Sequence, residues 1–174
     1  MDLPTNSQLR VLAFGLLVSI TACSTSATEV GSTGLLAVFP APGSSGVAMD
    51  APIEVRFGAP ISSGTMHPIA LQVGDCPGPV VMGTWSRTVD GLGLRFQPSQ
   101  PLDPATQYTI HVGGGMTDAE GALVDLERNV LGGMWVTREM VMGMMGMGMT
   151  QHSGTEWQSP NGLYGLAFSF TTAP

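Results

Sequence analysis

The chain contains no lysine. Its six basic residues are all arginine, against 13 Asp and Glu, for a net charge of −7. A nucleic-acid surface needs a basic stripe that displaces counterions from phosphates, and this composition cannot supply one. Nucleic acid is therefore excluded as an expected partner. Charge of either sign is scarce, at 11% of residues, and aromatic residues make up 6%. The apolar run near the N-terminus, residues 11–20 (VLAFGLLVSI), is ten residues long. That falls well short of the ~20 residues that span a bilayer. Cysteine is limited to Cys23 and Cys76.

What the sequence has in abundance is turn chemistry. Gly 24 and Pro 13 among 174 residues are far more than a helical bundle tolerates. The hydrophobic content of 43% argues against a disordered chain. The length suits one domain of ordinary size. The expected fold class is all-β, a sandwich of about seven short strands.

The N-terminus reads as an address. A polar stretch ending in Arg10 precedes the apolar run, and Ile20-Thr21-Ala22-Cys23 follows it. A charged start, a short apolar core and small residues before a cut site describe a secretory signal. Ile-Thr-Ala-Cys resembles the lipobox of bacterial lipoproteins. That resemblance implies a signal peptide over residues 1–22, an acylated Cys23 as the first mature residue, and anchorage in a membrane. Ile20 stands where leucine is commonest, and Asp2 thins the positive region. Ser24 after the cysteine implies the outer membrane. Residues 23–33, rich in Ser and Thr, read as a tether. With Cys23 carrying lipid, Cys76 is a lone thiol. Its setting, Gly74-Asp75-Cys76-Pro77-Gly78-Pro79, is turn-rich and places it near the surface, as a free thiol or as a passive small hydrophobe.

From residue 34 onward, β-type runs alternate with turn clusters. Residues 52–57 (PIEVRF) set Ile53, Val55 and Phe57 against Glu54 and Arg56, the period of a half-buried strand. Residues 107–112 (QYTIHV) alternate in the same way. Residues 35–39, 69–73 and 163–171 read as further strands, and residues 80–87 and 92–96 flank Asp90-Gly91, a strong hairpin signal. The order Phe39-Pro40-Ala41-Pro42-Gly43, Pro52 to Phe57, Leu94-Arg95-Phe96-Gln97-Pro98, Tyr108-Thr109-Ile110, Asp118-Ala119-Glu120-Gly121 and Phe168-Ser169-Phe170 resembles the bacterial Ig-like domain of the SbsA type. The likeness covers most of residues 34–174. It implies a structural or adhesive module of surface-layer and secreted proteins, with an envelope protein as a candidate partner.

The departure from that pattern lies between Gly121 and Leu163, where about forty residues replace a short connection. An insertion is expected at about 128–162. Met140, Met142, Met144, Met145, Met147 and Met149 crowd into ten positions, half of the 12 methionines in the chain. Thioethers are soft donors that suit Cu(I) or Ag(I). A glycine-spaced chain can wrap several sulfurs around such an ion, with His152 as a further ligand. The run resembles the Met-rich stretches of periplasmic copper-handling proteins. Two other readings stand beside it. Met is an adaptable apolar filler, so an extended run would bury both faces in a core or against a partner. The run also reads as a permissive loop. Gly143, Gly146 and Gly148 argue against a helix.

No enzyme is read from this sequence. There is no GxSxG elbow, no HExxH or paired-histidine spacing among His67, His111 and His152, and no phosphate loop after Gly113-Gly114-Gly115. His111, beside apolar neighbours, reads as a structural or surface histidine. Asp118, Glu120, Asp125 and Glu127 lack EF-hand spacing and read as turn and solvent residues.

Overall fold

Strands of five or six residues, each closed by a proline, a glycine or a turn, build two sheets. The computed structural model describes residues 33–63, 68–76, 78–145, 152 and 154–174. The first sheet has the order β1-β2-β5-β4, from β1 (Leu35–Phe39), β2 (Ile53–Phe57), β4 (Gly83–Arg87) and β5 (Gly93–Pro98). The second has the order β3-β6-β8-β7, from β3 (Ile69–Val73), β6 (Gln107–Val112), β7 (Met134–Trp135) and β8 (Leu166–Thr171). Every neighbouring pair within the two sheets is antiparallel. The chain is an all-β, Ig-like sandwich, with the two-residue β7 added to the strands expected from sequence.

The core follows from the period-two pattern. Ile53, Val55 and Phe57 of β2 pack with Leu71, Tyr108, Ile110, Val112, Phe168 and Phe170 of the second sheet in one apolar cluster. Tyr108 stacks on Phe170 with ring centroids 5.7 Å apart, and its hydroxyl accepts the Asp103 N–H at 2.8 Å. Asp90 holds the β4–β5 turn by accepting from Thr88 Oγ1 at 2.6 Å and Leu92 N–H at 3.0 Å. Asp118 serves its own turn, accepting Thr33 Oγ1 at 2.9 Å and the N–H groups of Glu120 and Ala122.

The two sheets differ on their outer faces. Outside β2 and β5, Arg56 pairs with Glu54 and Asp90, and Arg95 reaches Glu54 at 3.4 Å. Glu54 is buried beneath the two arginines, while Arg95 and Asp90 stand in solvent. Outside β3, β6 and β8 stand Gln72, Thr109 and His111, with Ala70 and Ala167, all buried. A sandwich leaves such a face to water unless something covers it. The cover is the long connection between β7 and β8. It leaves β7, forms helix α1 (Arg138–Met145), and returns through a 3₁₀ turn at Thr155–Trp157.

Helix α1 corrects the expectation that glycines keep this run out of a helix. Gly143 lies inside it. Thr137 Oγ1 accepts the Met140 N–H at 3.4 Å, a capping contact, and Val141 is buried beneath. Tertiary burial outweighs the roughly 1 kcal/mol that one glycine costs. The chain re-enters β8 through Gly165 at φ 99°, where a Cβ would collide with the Val112 carbonyl.

The outer face of the second sheet is small and polar, as a solvent-facing side would be. A cover laid over such a face is expected to be dispensable for the sandwich beneath. Replacing residues 136–162 with a short Gly-Ser linker is expected to leave a folded β protein by circular dichroism, since closure entropy grows only with the logarithm of loop length. Ile110→Ala, in the fully buried centre, is expected to lose about 2–5 kcal/mol in denaturant unfolding. An unfolded linker variant would make the cover part of the core.

Candidate functional site

His111 sits at the middle of the covered face. In register it lies between Ala70 of β3 and Ala167 of β8, two small residues that leave room above it. Beyond the strand, Gly113-Gly114-Gly115 let the returning segment lie directly on the sheet. A Cβ at Gly113 would come within 2.7 Å of Trp157, one at Gly114 would strike Ser159, and one at Gly115 the Glu156 backbone. Gly114 N–H donates to the Trp157 carbonyl at 2.9 Å. The glycine run is thus explained by close packing.

The cover brings His152 onto His111. Their Nδ1 atoms are 3.0 Å apart. His152 stacks on Trp157 with centroids 4.1 Å apart and 11° between planes, and His111 meets the same indole at 4.5 Å. On its other side, His111 Nε2 lies 2.7 Å from the Tyr164 carbonyl. A carbonyl only accepts, so Nε2 carries the proton and His111 Nδ1 presents a lone pair. Burial, opposed in part by the bond to Tyr164, pushes His111 down to about 3. Burial likewise pushes His152 down to about 4. Both imidazoles are neutral at neutral pH, and the single proton between them belongs to His152 Nδ1. The Gln72 amide nitrogen is placed 3.2 Å from His152 Nδ1, while its Oε1 is buried without a partner among the described residues. Turning the amide puts the oxygen against the His152 N–H.

Beside the pair, Cys76, Val136, Val141 and Ala167 form a small apolar cluster with Met140 and Tyr164 against it. Cys76 is 2% exposed, which corrects its expected place near the surface. Its turn folds under the cover. Burial, then the charge of Asp75, pushes its thiol up to about 12, so it is protonated and unreactive at neutral pH.

The residues expected to bind metal are placed unevenly. His152 is buried, Met140 is half-buried and Met142 is 51% exposed. Met144 and Met145 lie on α1, with side chains outside the described residues, and Met147, Met149 and His67 lie outside them altogether. Cys23, the signal segment and all of the tether but Thr33 also lie outside them. Among the described residues, no three His, Cys, Asp or Glu side chains converge. Sequence reasoning missed His111, Gln72 and Trp157 as partners of His152. The signal available for Trp157 was its position five residues after His152; nothing local marked His111.

The family described as bacterial Ig-like domain matches residues 33–131. The match ends before β7 and the segment that covers the second sheet. A search of curated proteins finds no match. Among solved structures, domains 1–6 of surface layer protein SbsC are similar at 12% identity and TM-score 0.44, over 82% of this chain and 14% of that one. CopC from Methylosinus trichosporium OB3b is similar at 12% identity and TM-score 0.45, over 82% of this chain and 94% of that one. L,D-transpeptidase 1 of Mycobacterium tuberculosis is similar at 22% identity and TM-score 0.37, over 45% of this chain and 35% of that one. At TM-scores below 0.5 these likenesses carry no argument about this chain.

The neutral histidines set a pH dependence. The unfolded chain binds protons at its histidines below about 6.5, whereas folded His152 and His111 resist until about 4 and about 3. Their contribution is fully present above pH ~6.5 and is lost as pH falls through that window, at up to ~1.4 kcal/mol per unit for each histidine. In metal-free protein, thermal melts are expected to drop between pH 7 and pH 4.5. A His111→Gln, His152→Gln double variant is expected to show a shallower drop. Equal slopes would mean that the pair is not held neutral.

Proposed function

We propose, from the premise that the chain belongs to the bacterial Ig-like domain family, that it is a non-enzymatic module of the cell envelope. Cys23 anchors it by lipid to a membrane, the outer membrane on the strength of Ser24, and the sandwich spaces or binds another envelope protein. The observation that carries this reading is the family match over residues 33–131, together with the lipobox-like Ile20-Thr21-Ala22-Cys23 ahead of it. In a Gram-negative host, the protein is expected to partition into detergent and to incorporate labelled fatty acid. Cys23→Ser is expected to abolish both, and a labelled Cys23→Ser protein would remove the anchor from the reading.

A second reading has its own observation. The fold carries His152, just past the Met run, into a buried contact with a second imidazole, and packs Met140 against the neighbouring cluster. In this reading Met140, Met142, Met144, Met145, Met147 and Met149, with His152, bind Cu(I) or Ag(I). Six Met→Leu substitutions hold volume and hydrophobicity nearly constant and remove the sulfur donors. The variant is expected to fold like the parent and to lose most Cu(I) affinity in a chelator competition. Undiminished binding would leave the Met run as apolar packing.

A further inference from the structure

We propose that β4 is an edge for pairing with a second copy of this chain. Two β4 strands meet antiparallel about Trp85 and join two copies of the first sheet into one continuous sheet. Neither the lipid anchor nor the methionine segment enters into this pairing.

The strands β1, β4, β3 and β7 end the two sheets, and all but β4 are closed to further pairing. The chain itself covers β3: Val73 N–H donates to the Pro79 carbonyl at 2.9 Å, and Val81 N–H to the Leu71 carbonyl at 2.8 Å. β1 shifts register between Leu35 and Ala37 and runs into Pro40. β7 is two residues long. Bulges, proline, lysine and short length are the usual means by which an edge avoids a second strand. β4 carries none of them. Its register with β5 runs unbroken from Gly83 opposite Pro98 to Arg87 opposite Leu94. It holds no proline, and the chain has no lysine to place there. Its one charge, Arg87, stands at its last position.

The unpaired groups alternate along the strand. The Met82 carbonyl accepts the Ser99 N–H at 2.9 Å, and Thr88 N–H donates to the Gly93 carbonyl at 2.9 Å. The even-numbered residues therefore face β5, and the alternate residues of an antiparallel ladder face the other way. Gly83, Trp85 and Arg87 present N–H and C=O to the open side, with no partner among the described residues. This pattern is complementary to itself. About a two-fold axis at Trp85, Gly83 lies opposite the second copy's Arg87 and Trp85 opposite the second copy's Trp85, so every outward N–H and C=O finds a partner. Arginine faces glycine, and no like charges are opposed. Thr84 and Ser86, both exposed, become a cross-strand hydroxyl pair, which favours a sheet. Trp85 is half-buried, tilted against Phe96 with ring centroids 4.9 Å apart, and the pairing sets two indoles side by side. At the ends of the strand, Met82 and Val89 are 74% and 110% exposed, and the pairing brings Met82 toward the second copy's Thr88 and Val89. The net charge of −7 opposes the approach of two copies, and salt screens it. One pair of five-residue strands makes a contact of the small, reversible class rather than an obligate interface.

The experiment uses the full chain, expressed in a Gram-negative host. Thr84→Cys and Ser86→Cys place thiols that face each other across the pair, with Cα atoms about 4.5 Å apart, inside the range a disulfide spans. Two copies of the same variant place them on a diagonal of about 7–8 Å, outside that range. Co-expressed and oxidised, the two variants are expected to give a disulfide-linked dimer at several-fold the yield of either alone. Cys76 is buried and does not compete. In the purified parent, the amides of Gly83, Trp85 and Arg87 are expected to gain protection from hydrogen exchange as protein concentration rises, while those of Thr84 and Ser86 stay unchanged. A Thr84→Lys, Ser86→Lys double variant opposes like charges across the pair and is expected to lose that gain. Equal cross-linking in the mixture and in the single variants overturns the proposal, as does exchange at the three amides that is independent of concentration. A disulfide from Thr84→Cys to a different envelope protein assigns the edge to that protein and overturns the self-pairing. Where a cysteine variant does not fold, exchange in the parent decides alone.

Discussion

An imidazole buried on the outward side of a central strand must find a partner for each of its nitrogens. His111 is fully buried on β6, and no strand neighbour offers one, because Ala70 and Ala167 flank it. One partner is the Tyr164 carbonyl at 2.7 Å, the other is His152 Nδ1 at 3.0 Å. Both belong to the long connection between β7 and β8. Left unpaired, each buried nitrogen would cost about 1–3 kcal/mol. This requirement ties the insertion to the sheet and gives it one resting place. The glycines at 113–115 let Trp157 and Ser159 approach closely enough to meet it.

The insertion holds itself together weakly. Helix α1 has eight residues and contains Gly143, and a helix that short is not stable alone in water. Its order derives from Val136 and Val141 buried beside Cys76 and Ala167, and from its attachment to the residues leading into β8, where the Val136 N–H donates to the Gly165 carbonyl at 2.9 Å and the Val136 carbonyl accepts the Tyr164 N–H at 2.8 Å. Cys76 contributes as a small apolar side chain, its thiol held protonated by burial. The sandwich beneath has a separate core of aromatic and branched residues from both sheets. The protein therefore has two layers of stability, a robust one between the sheets and a marginal one over the second sheet.

The sandwich was legible because its signals are local. Ile53, Val55 and Phe57 alternate with Glu54 and Arg56, Asp90-Gly91 marks its own turn, and both patterns are where the strands are. The same alternation misled at β6. Thr109 and His111 occupy the polar phase of that strand, the phase that faces water in an open sandwich. The groups that pair with buried His111 lie more than forty positions away, and nothing in residues 107–112 encodes that. The helix at Arg138–Met145 escaped for a related reason. Its glycine lowers intrinsic propensity, while the burial that overrides propensity lies in the sheet. Cys76 was misplaced by its prolines and glycines, which describe a turn correctly and do not say what lies over it.

Placing the histidine pair between the two layers links the protonation of the pair to the order of the cover. The docked cover satisfies both nitrogens of His111, and undocking it would leave them to find water or remain unpaired at about 1–3 kcal/mol each. For a cover whose apolar anchors are Val136, Val141 and one stacked indole, this is a large fraction of what keeps it in place. The sandwich supplies His111 and Gln72 from two strands whose inner faces serve the core. Changes in the insertion can then alter what the outer face holds while Ile110, Val112 and Leu71 keep the scaffold unchanged.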